Sequence, residues 1–96
     1  SGSRFYYNSA GQLHRTGGPA IVYAGGTKYW MQNGILHRTD GPAIEIANGH
    51  REWWQNGRRH RTDGPAIEYA DGRRRWCVND KKMTEAEFNQ DVKQNV

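Results

Sequence analysis

The apolar residues of this chain are few, and they return at a fixed interval of 23 positions. The recurring positions hold tryptophan, isoleucine and alanine: Trp30, Trp53 and Trp76; Ile21, Ile44 and Ile67; Ala20, Ala43 and Ala66. The polar stretch between them, His-Arg-Thr-Asp-Gly-Pro-Ala at 37–43, returns unchanged at 60–66 and again at 14–20 with Gly17 in place of the aspartate. Such a period is typical of an array in which each unit packs on its neighbours.

Each unit contains a predicted β-hairpin. Asn48-Gly49 and Asp71-Gly72 are signals for two-residue type I′ turns, and Gly25-Gly26 is compatible with one. Two-residue loops set the isoleucine of each unit opposite its tryptophan, which gives the pairs Ile21–Trp30, Ile44–Trp53 and Ile67–Trp76.

The same register predicts one apolar and one polar side of an antiparallel sheet. The polar side should carry Glu45, Glu52, Glu68 and Arg75. On the apolar side, Tyr23 with Lys28 and Tyr69 with Arg74 are predicted cation–π pairs.

The rest of each unit is predicted to turn the chain into the next hairpin. Asn33-Gly34 and Asn56-Gly57 are second turns, and the proline of Thr-Asp-Gly-Pro-Ala marks where the next strand begins. Residues 4–8 are interpreted as the tryptophan-type strand of a degenerate first unit, with Tyr7 replacing tryptophan.

The end of the chain predicts a helix. Thr84 and Glu87 have the spacing of a capping box, Met83 and Phe88 that of a hydrophobic staple, and Phe88 and Val92 share one helical face.

We therefore predict an all-β repeat fold, a meandering antiparallel array of 23-residue hairpin units with one short C-terminal capping helix. Residues 1–3 are expected to be a cloning remnant, 4–80 the repeat domain and 81–96 the capping helix. Because one helix does not cover the whole apolar side, we expect that side to curve on itself or to be buried in a homodimer.

The period, the Asn-Gly turns and the aromatic strand resemble MORN-type repeats. The His-Arg-x-Asp-Gly-Pro-Ala stretch is closer to divergent MORN-like repeats of phage and giant-virus proteins, and the likeness covers residues 7–79. It implies a non-enzymatic β-scaffold that binds proteins or, in some cases, anionic lipids. Thr-Asp-Gly-Pro-Ala replaces the Gly-x-Gly of standard units, which argues against the lipid role. A small virus-like protein of this type is expected to bind and inhibit a host protein.

Composition narrows the possible classes of protein further. The 96 residues suffice for one domain, Cys77 is the lone cysteine, and 14 basic against 10 acidic residues give a net charge of +4. No apolar stretch has the length of a membrane span. The lone cysteine fits a reducing compartment, so a cytoplasmic location is expected. Signatures of common enzymes are absent, so we expect no catalysis and no cofactor; His50 with Glu52 offers a candidate acid–base pair.

The recurring histidines and arginines allow two interpretations. As ligands, His37, Arg38, His60 and Arg61 would form an anion-binding ladder, extended by Arg73 and Arg74. As scaffold residues, they would tie each turn to the next unit or to a nearby carboxylate. Zinc binding is not expected from histidines in separate units.

Positions that differ between units are better candidates for specificity. Met31 becomes Trp54, and the pair Ile35-Leu36 becomes Arg58-Arg59. We predict that Trp54, Arg58, Arg59 and Arg75 contact a partner. Trp54 has two further interpretations: a stacking platform for a nucleobase, or a residue packed beneath a proline bend.

Two functions follow. The first is a protein-interaction module that inhibits a host protein. The second is a basic module that sequesters a nucleotide or nucleic acid, whose affinity would fall steeply with salt.

Overall fold

The computed structural model describes residues 2–92, which form short antiparallel strands and one helix. The strands are β1 (Arg4–Phe5), β2 (Ile21–Val22), β3 (Lys28–Tyr29), β4 (Met31–Gln32), β5 (Ile35–Leu36), β6 (Ile44–Glu45), β7 (Arg51–Glu52), β8 (Trp54–Gln55), β9 (Arg58–Arg59), β10 (Ile67–Glu68), β11 (Arg74–Val78) and β12 (Lys81–Met83). Helix α1 spans Glu85–Asp91. The predicted all-β class with a short C-terminal helix is confirmed.

An eight-stranded sheet runs the length of the molecule in the order β1-β2-β3-β6-β7-β10-β11-β12. Beside it, β4–β5 and β8–β9 form two small hairpins. The predicted turns at Asn33-Gly34 and Asn56-Gly57 close these hairpins, and both residues of each turn have positive φ, as a type I′ turn requires. A third such turn, Asn79-Asp80, joins β11 to β12 and was not anticipated.

The predicted register of the long hairpins was wrong by one residue. The Ile46 N–H donates to the His50 carbonyl (2.9 Å), and the Gly49 N–H donates to the Ile46 carbonyl (2.9 Å). The loop therefore has three residues, 47–49, and ends with Gly49 at φ 101°. Loops 24–26 and 70–72 close in the same way. A three-residue loop that ends in a left-handed glycine is the next commonest hairpin connection.

This shift exchanges the two sides of the sheet, because side chains alternate along a strand. The residues opposite Ile21, Ile44 and Ile67 are not tryptophans but Tyr29, Glu52 and Arg75. We call this side the isoleucine face. The other side, the charged face, carries the row Arg4, Val22, Lys28, Glu45, Arg51, Glu68 and Arg74.

Glu52 and Arg75 therefore lie on the isoleucine face, contrary to prediction, and the tryptophans next to them in sequence fall on the charged face. The predicted cation–π pairs change as well. Tyr69 stacks with Arg73 (4.8 Å) instead of Arg74, and the Tyr23 ring contacts two aromatic rings edge-on instead of Lys28.

The core is thin and repeats with the units. Its buried side chains are Ala20, Ile21, Ala43, Ile44, Ala66, Ile67, Cys77 and Phe88. Phe88 comes from α1, which packs on β11 and β12.

The predicted capping box is present: Thr84 Oγ1 accepts the Glu87 N–H (3.1 Å), and Glu87 Oε1 accepts the Thr84 N–H (2.9 Å). Residues 81–83 of the predicted helical segment form β12 instead. Residue 1 of the expected remnant and residues 93–96 of the helical segment lie outside the described residues. Between residues 2 and 92, no helix has the length and apolar character needed to cross a membrane.

Candidate functional site

Each Thr-Asp-Gly-Pro-Ala stretch is folded around the arginine that precedes it. Arg38 Cζ lies 3.9 Å from the centroid of the Trp30 ring. On Gly41 a Cβ would approach Arg38 Cζ to 2.8 Å, so the guanidinium lies between the indole ring and the glycine backbone. Its Nε donates to Asp40 Oδ1 (2.9 Å), and its Nη1 donates to the Pro42 carbonyl (2.9 Å).

The next unit repeats this arrangement closely. Arg61 Cζ lies 3.8 Å from the Trp53 ring centroid, Nε donates to Asp63 Oδ1 (2.8 Å), and Nη1 donates to the Pro65 carbonyl (3.0 Å). Arg38 and Arg61 also donate to the glutamates of the charged face, at 3.2 and 3.3 Å. These contacts favour the scaffold interpretation of the recurring arginines.

The recurring histidines connect successive units. Nδ1 of His14, His37 and His60 accepts the backbone N–H of the asparagine in the next unit's two-residue turn, at 2.9, 2.9 and 3.1 Å. Because Nδ1 is the acceptor, the neutral ring carries its proton on Nε2. These contacts give each histidine a structural role as well.

Residues that differ between units meet around one carboxylate. Trp54 lies directly opposite Arg59, whose Cζ is 5.0 Å from the Trp54 ring centroid. Glu52 Oε1 accepts the Trp54 indole N–H (2.8 Å) and the Arg59 Nε–H (3.3 Å), and Glu52 Oε2 lies 2.7 Å from His50 Nε2. We call His50, Glu52, Trp54 and Arg59 the variable cluster. The same positions hold Thr27, Tyr29, Met31 and Leu36 in the unit before, and Arg73, Arg75, Cys77 and Lys82 in the unit after.

Electrostatics keeps the variable cluster ordered. Burial of the Glu52 carboxylate, which is 14% exposed, tends to raise its pKa. The hydrogen bonds from His50 and Trp54 and the charge of Arg59 outweigh that effect and hold the pKa of Glu52 below its usual range. The carboxylate therefore stays ionised and fixes the orientation of the indole and guanidinium.

Further cations surround the cluster on the isoleucine face. Burial raises the pKa of the Cys77 thiol and the charge of Asp80 raises it further, whereas the charges of Arg59, Arg75 and Lys82 oppose that shift. Arg75 is exposed and lies in the same row as Glu52.

Three of the predicted contact residues, Trp54, Arg59 and Arg75, therefore share the isoleucine face. Arg58 does not join them, because it pairs with Gln55 and alternates to the charged face.

The arginine run after the last long hairpin has a different setting. Arg73 Nε donates to Asp71 Oδ2 (2.8 Å), and Arg74 lies opposite Glu68. All three arginines of the run line a cavity of about 380 Å³ together with Lys82.

His50 and Glu52 were not among the predicted contact residues, although both positions vary between units as Trp54 does. In the part of the chain that the structure describes, no three His, Cys, Asp or Glu side chains are grouped so as to hold a metal ion.

Comparisons of the chain with protein-family models, with curated proteins and with solved structures found no match.

Proposed function

We propose that this protein is a non-catalytic protein-interaction module made of MORN-like repeats, and that the variable cluster with Arg75 is its contact surface. The observation that carries the proposal is that recurring and variable side chains have different roles. Recurring arginines and histidines are used within the scaffold, whereas the residues particular to one unit converge on Glu52.

The chemistry of the cluster suits a protein partner. Tryptophan and arginine dominate the binding energy of protein interfaces. Here Trp54 and Arg59 are already held by Glu52, so little side-chain entropy is lost when a partner binds. Arg75 adds an exposed positive charge beside them. We infer a partner surface with an apolar anchor and acidic groups around it.

The resemblance to repeats of phage and giant-virus proteins supports a host protein as the partner. Inhibition of that protein in the host cytoplasm is the activity we propose.

Paired baits test the proposal. The wild type, Trp54→Ala and Met31→Ala are used to capture partners from nuclease-treated host lysate, and the affinity of each bait for the captured protein is then measured. Trp54→Ala should weaken binding by roughly 30-fold, which corresponds to about 2 kcal/mol for a hot spot. Met31→Ala removes the side chain at the equivalent position of the preceding unit and should change affinity little.

Equal losses in both variants would mean that the loss comes from a disturbed scaffold and not from a lost contact. Far-ultraviolet circular dichroism of each bait and a Trp54→Phe bait, which keeps an aromatic ring, separate these outcomes.

A second function, binding of a nucleotide or nucleic acid, is favoured by one observation. The arginine run and Lys82 line one cavity beside the aromatic rings of Tyr69 and Trp76. The affinity of wild type for a single-stranded oligonucleotide should then fall steeply with salt, and Arg74→Ala/Arg75→Ala should flatten that slope. An affinity for the captured protein that falls much less with salt than the affinity for the oligonucleotide favours the first function.

A further inference from the structure

The charged face carries two similar cavities at equivalent positions of successive units. We call the Thr-x-Gly-Pro-Ala stretches folded around Arg15, Arg38 and Arg61 the arginine turns. Each cavity has a volume of about 420 Å³ and lies between successive arginine turns. The first is lined by Trp30, Gln32, His37 and Arg38, and the second by their equivalents Trp53, Gln55, His60 and Arg61. Thr39 and Asp40 line both cavities, so the two are adjacent. We call them the repeat grooves.

The arginines at equivalent positions of the two repeat grooves are paired with acids, and Arg15 adds one positive charge, without a bonded carboxylate among the described residues, to the first groove. Arg38 is paired with Asp40 at 2.9 Å, and Arg61 with Asp63 at 2.8 Å. Both arginines also bond a glutamate of the charged face. A ligand selected by these grooves is therefore recognised by shape and hydrogen bonding more than by charge.

Each groove offers neutral hydrogen-bond donors. The indole N–H groups of Trp30 and Trp53 have no partner in the described part of the chain. Neither is sealed from solvent, since every buried side-chain nitrogen and oxygen there is paired. The Nε2–H of His37 and of His60 is likewise unpaired within residues 2–92, because each ring is bonded through Nδ1. The matching ligand presents a flat apolar surface and unpaired acceptors.

The spacing of the grooves identifies such a ligand. Each unit contributes two strands to the long sheet, and strands lie about 4.8 Å apart, which places equivalent points of the two grooves about 9.6 Å from each other. A polyproline II helix has three residues per turn and a rise of 3.1 Å, so it repeats every ~9.3 Å. A β-strand ligand repeats its side chains every ~6.7 Å, so successive side chains would not align with the two grooves.

We propose that the repeat grooves bind a proline-rich polypeptide in the polyproline II conformation, with one turn of the ligand in each groove. The carbonyl groups of such a helix have no internal partners, and its proline rings pack against aromatic side chains. The indole and imidazole N–H groups supply the donors that these carbonyls need. This site lies on the opposite side of the sheet from the variable cluster and takes a different kind of partner.

A length series tests the spacing. Proline peptides of about three, six and nine residues correspond to one, two and three turns. Binding is followed by the fluorescence of the full chain and by calorimetry. We expect affinity to rise about tenfold or more between the first and second peptide, as the second groove is filled, and by only a small factor between the second and third. A steady rise with length and no step would overturn the two-groove proposal.

A threonine series tests the location. Thr39, Thr62 and Thr16 are equivalent, exposed positions, of which Thr39 lines both grooves and Thr62 one, whereas Thr16 lines neither. With the six-residue peptide, Thr39→Arg should weaken binding most, by about tenfold or more, Thr62→Arg should weaken it less, and Thr16→Arg should have the smallest effect. Each variant is checked for folding by circular dichroism. Equal effects of the three substitutions would place the binding elsewhere.

Two controls separate this proposal from the others. Trp54→Ala should leave the affinity for proline peptides unchanged, since the variable cluster lies on the isoleucine face. If a glutamate peptide of equal length binds better than the proline peptide and is released by salt, the grooves select anions and the proposal fails.

Discussion

The first arginine turn has the shape of the later two but a simpler chemistry. Arg15 Cζ lies 4.1 Å from the centroid of the Tyr6 ring, and Nη1 donates to the Pro19 carbonyl (3.3 Å). Within residues 2–92 no carboxylate bonds Arg15, because Gly17 and Val22 occupy the positions that hold acids in the later units.

In the second turn, Arg38 has the same kind of ring and the same proline carbonyl but gains two carboxylates. Asp40 and Glu45 lie 2.9 and 3.2 Å from its nitrogens, and Trp30 is the larger ring. The comparison shows what the motif needs at minimum. An aromatic ring, a guanidinium, a glycine and one carbonyl suffice to form the turn, and the acids are additions that orient the arginine further.

The largest expected effect comes from closing the space above the guanidinium. In Gly41→Ala the Cβ would meet Arg38 Cζ at 2.8 Å. Because the Trp30 ring and the Asp40 and Pro42 acceptors hold that guanidinium in place, we expect a loss of about 2–3 kcal/mol in the free energy of unfolding. Gly18→Ala, with its nearest contact at 3.2 Å in the first turn, should lose less. Urea unfolding measures both.

Gly25→Ala is the matched control, because a Cβ there meets nothing within 4 Å and the residue has no positive φ. A Gly41→Ala variant as stable as this control would show that the arginine turn yields easily, contrary to the expected close packing.

The next effect tests the guanidinium itself. Arg38→Lys keeps the charge but loses the planar fork that stacks on Trp30 and bonds several acceptors. We expect a loss of about 1–3 kcal/mol. Arg15→Lys should lose about 1 kcal/mol or less, because Arg15 makes fewer hydrogen bonds. Equal losses measured by urea unfolding would mean that the two acids of the second turn contribute nothing.

A pH titration measures the contribution of the ionised Asp40 to stability. The hydrogen bond and charge of Arg38 hold the pKa of Asp40 below its ordinary value of 3.8. A lowered folded-state pKa stabilises the protein above the unfolded value, and this contribution is lost as the pH falls through the folded value. The thermal midpoints of wild type and Asp40→Asn should therefore differ near neutral pH and converge below pH 3.8.

Arg15→Lys is the comparison for this titration, because no acid in the first turn titrates against Arg15. Its midpoint should run parallel to that of wild type between about pH 6 and pH 3. A difference between wild type and Asp40→Asn that persists into strong acid would disprove the electrostatic origin.

The smallest effect on stability should come from adding to the first unit an acid that the later units have. Val22 lies opposite Arg4 and Lys28 in the row of charges, at the position that Glu45 holds one unit later. Val22→Glu should stabilise the fold by up to about 0.5–1 kcal/mol at low salt and by less in high salt. A stabilisation that is insensitive to salt would point to packing, not charge.

The sequence predicted the turns better than it predicted the register. Asn33-Gly34 is a two-residue turn, as expected, whereas Asn48-Gly49 is the end of a three-residue loop. The same dipeptide suits both, because its glycine takes positive φ in either case. The loop length depends on which neighbouring strands complete the sheet, and that information is not local.

The first unit also has a loop whose length the local sequence did not predict. Its small hairpin has a three-residue loop closed by Asn8 and Gln12, one residue longer than its counterpart in the second unit. As a result Tyr6, and not the predicted Tyr7, stands where the later units have tryptophan. A constant period counted in sequence misplaces residues before such an insertion.

For the candidate site, variation between units was a useful signal. It selected Trp54, Arg59 and Arg75, which the sheet does bring to one face. It did not select Glu52, although that position also varies and the predicted register placed it on the same polar side as Arg75. The convergence of the His50, Trp54 and Arg59 side chains on the Glu52 carboxylate depends on the folded geometry, which the variation does not encode.

The histidine contacts have an evolutionary consequence. At each of the three seams between modules that these bonds join, the same two groups meet, an imidazole from one module and a main-chain amide from its successor. A gene duplication that splices in one whole module would create two new seams with the chemistry of the old ones. Such a protein lengthens or shortens by complete modules, so natural relatives are expected to differ in module number while the two ends of the array stay the same.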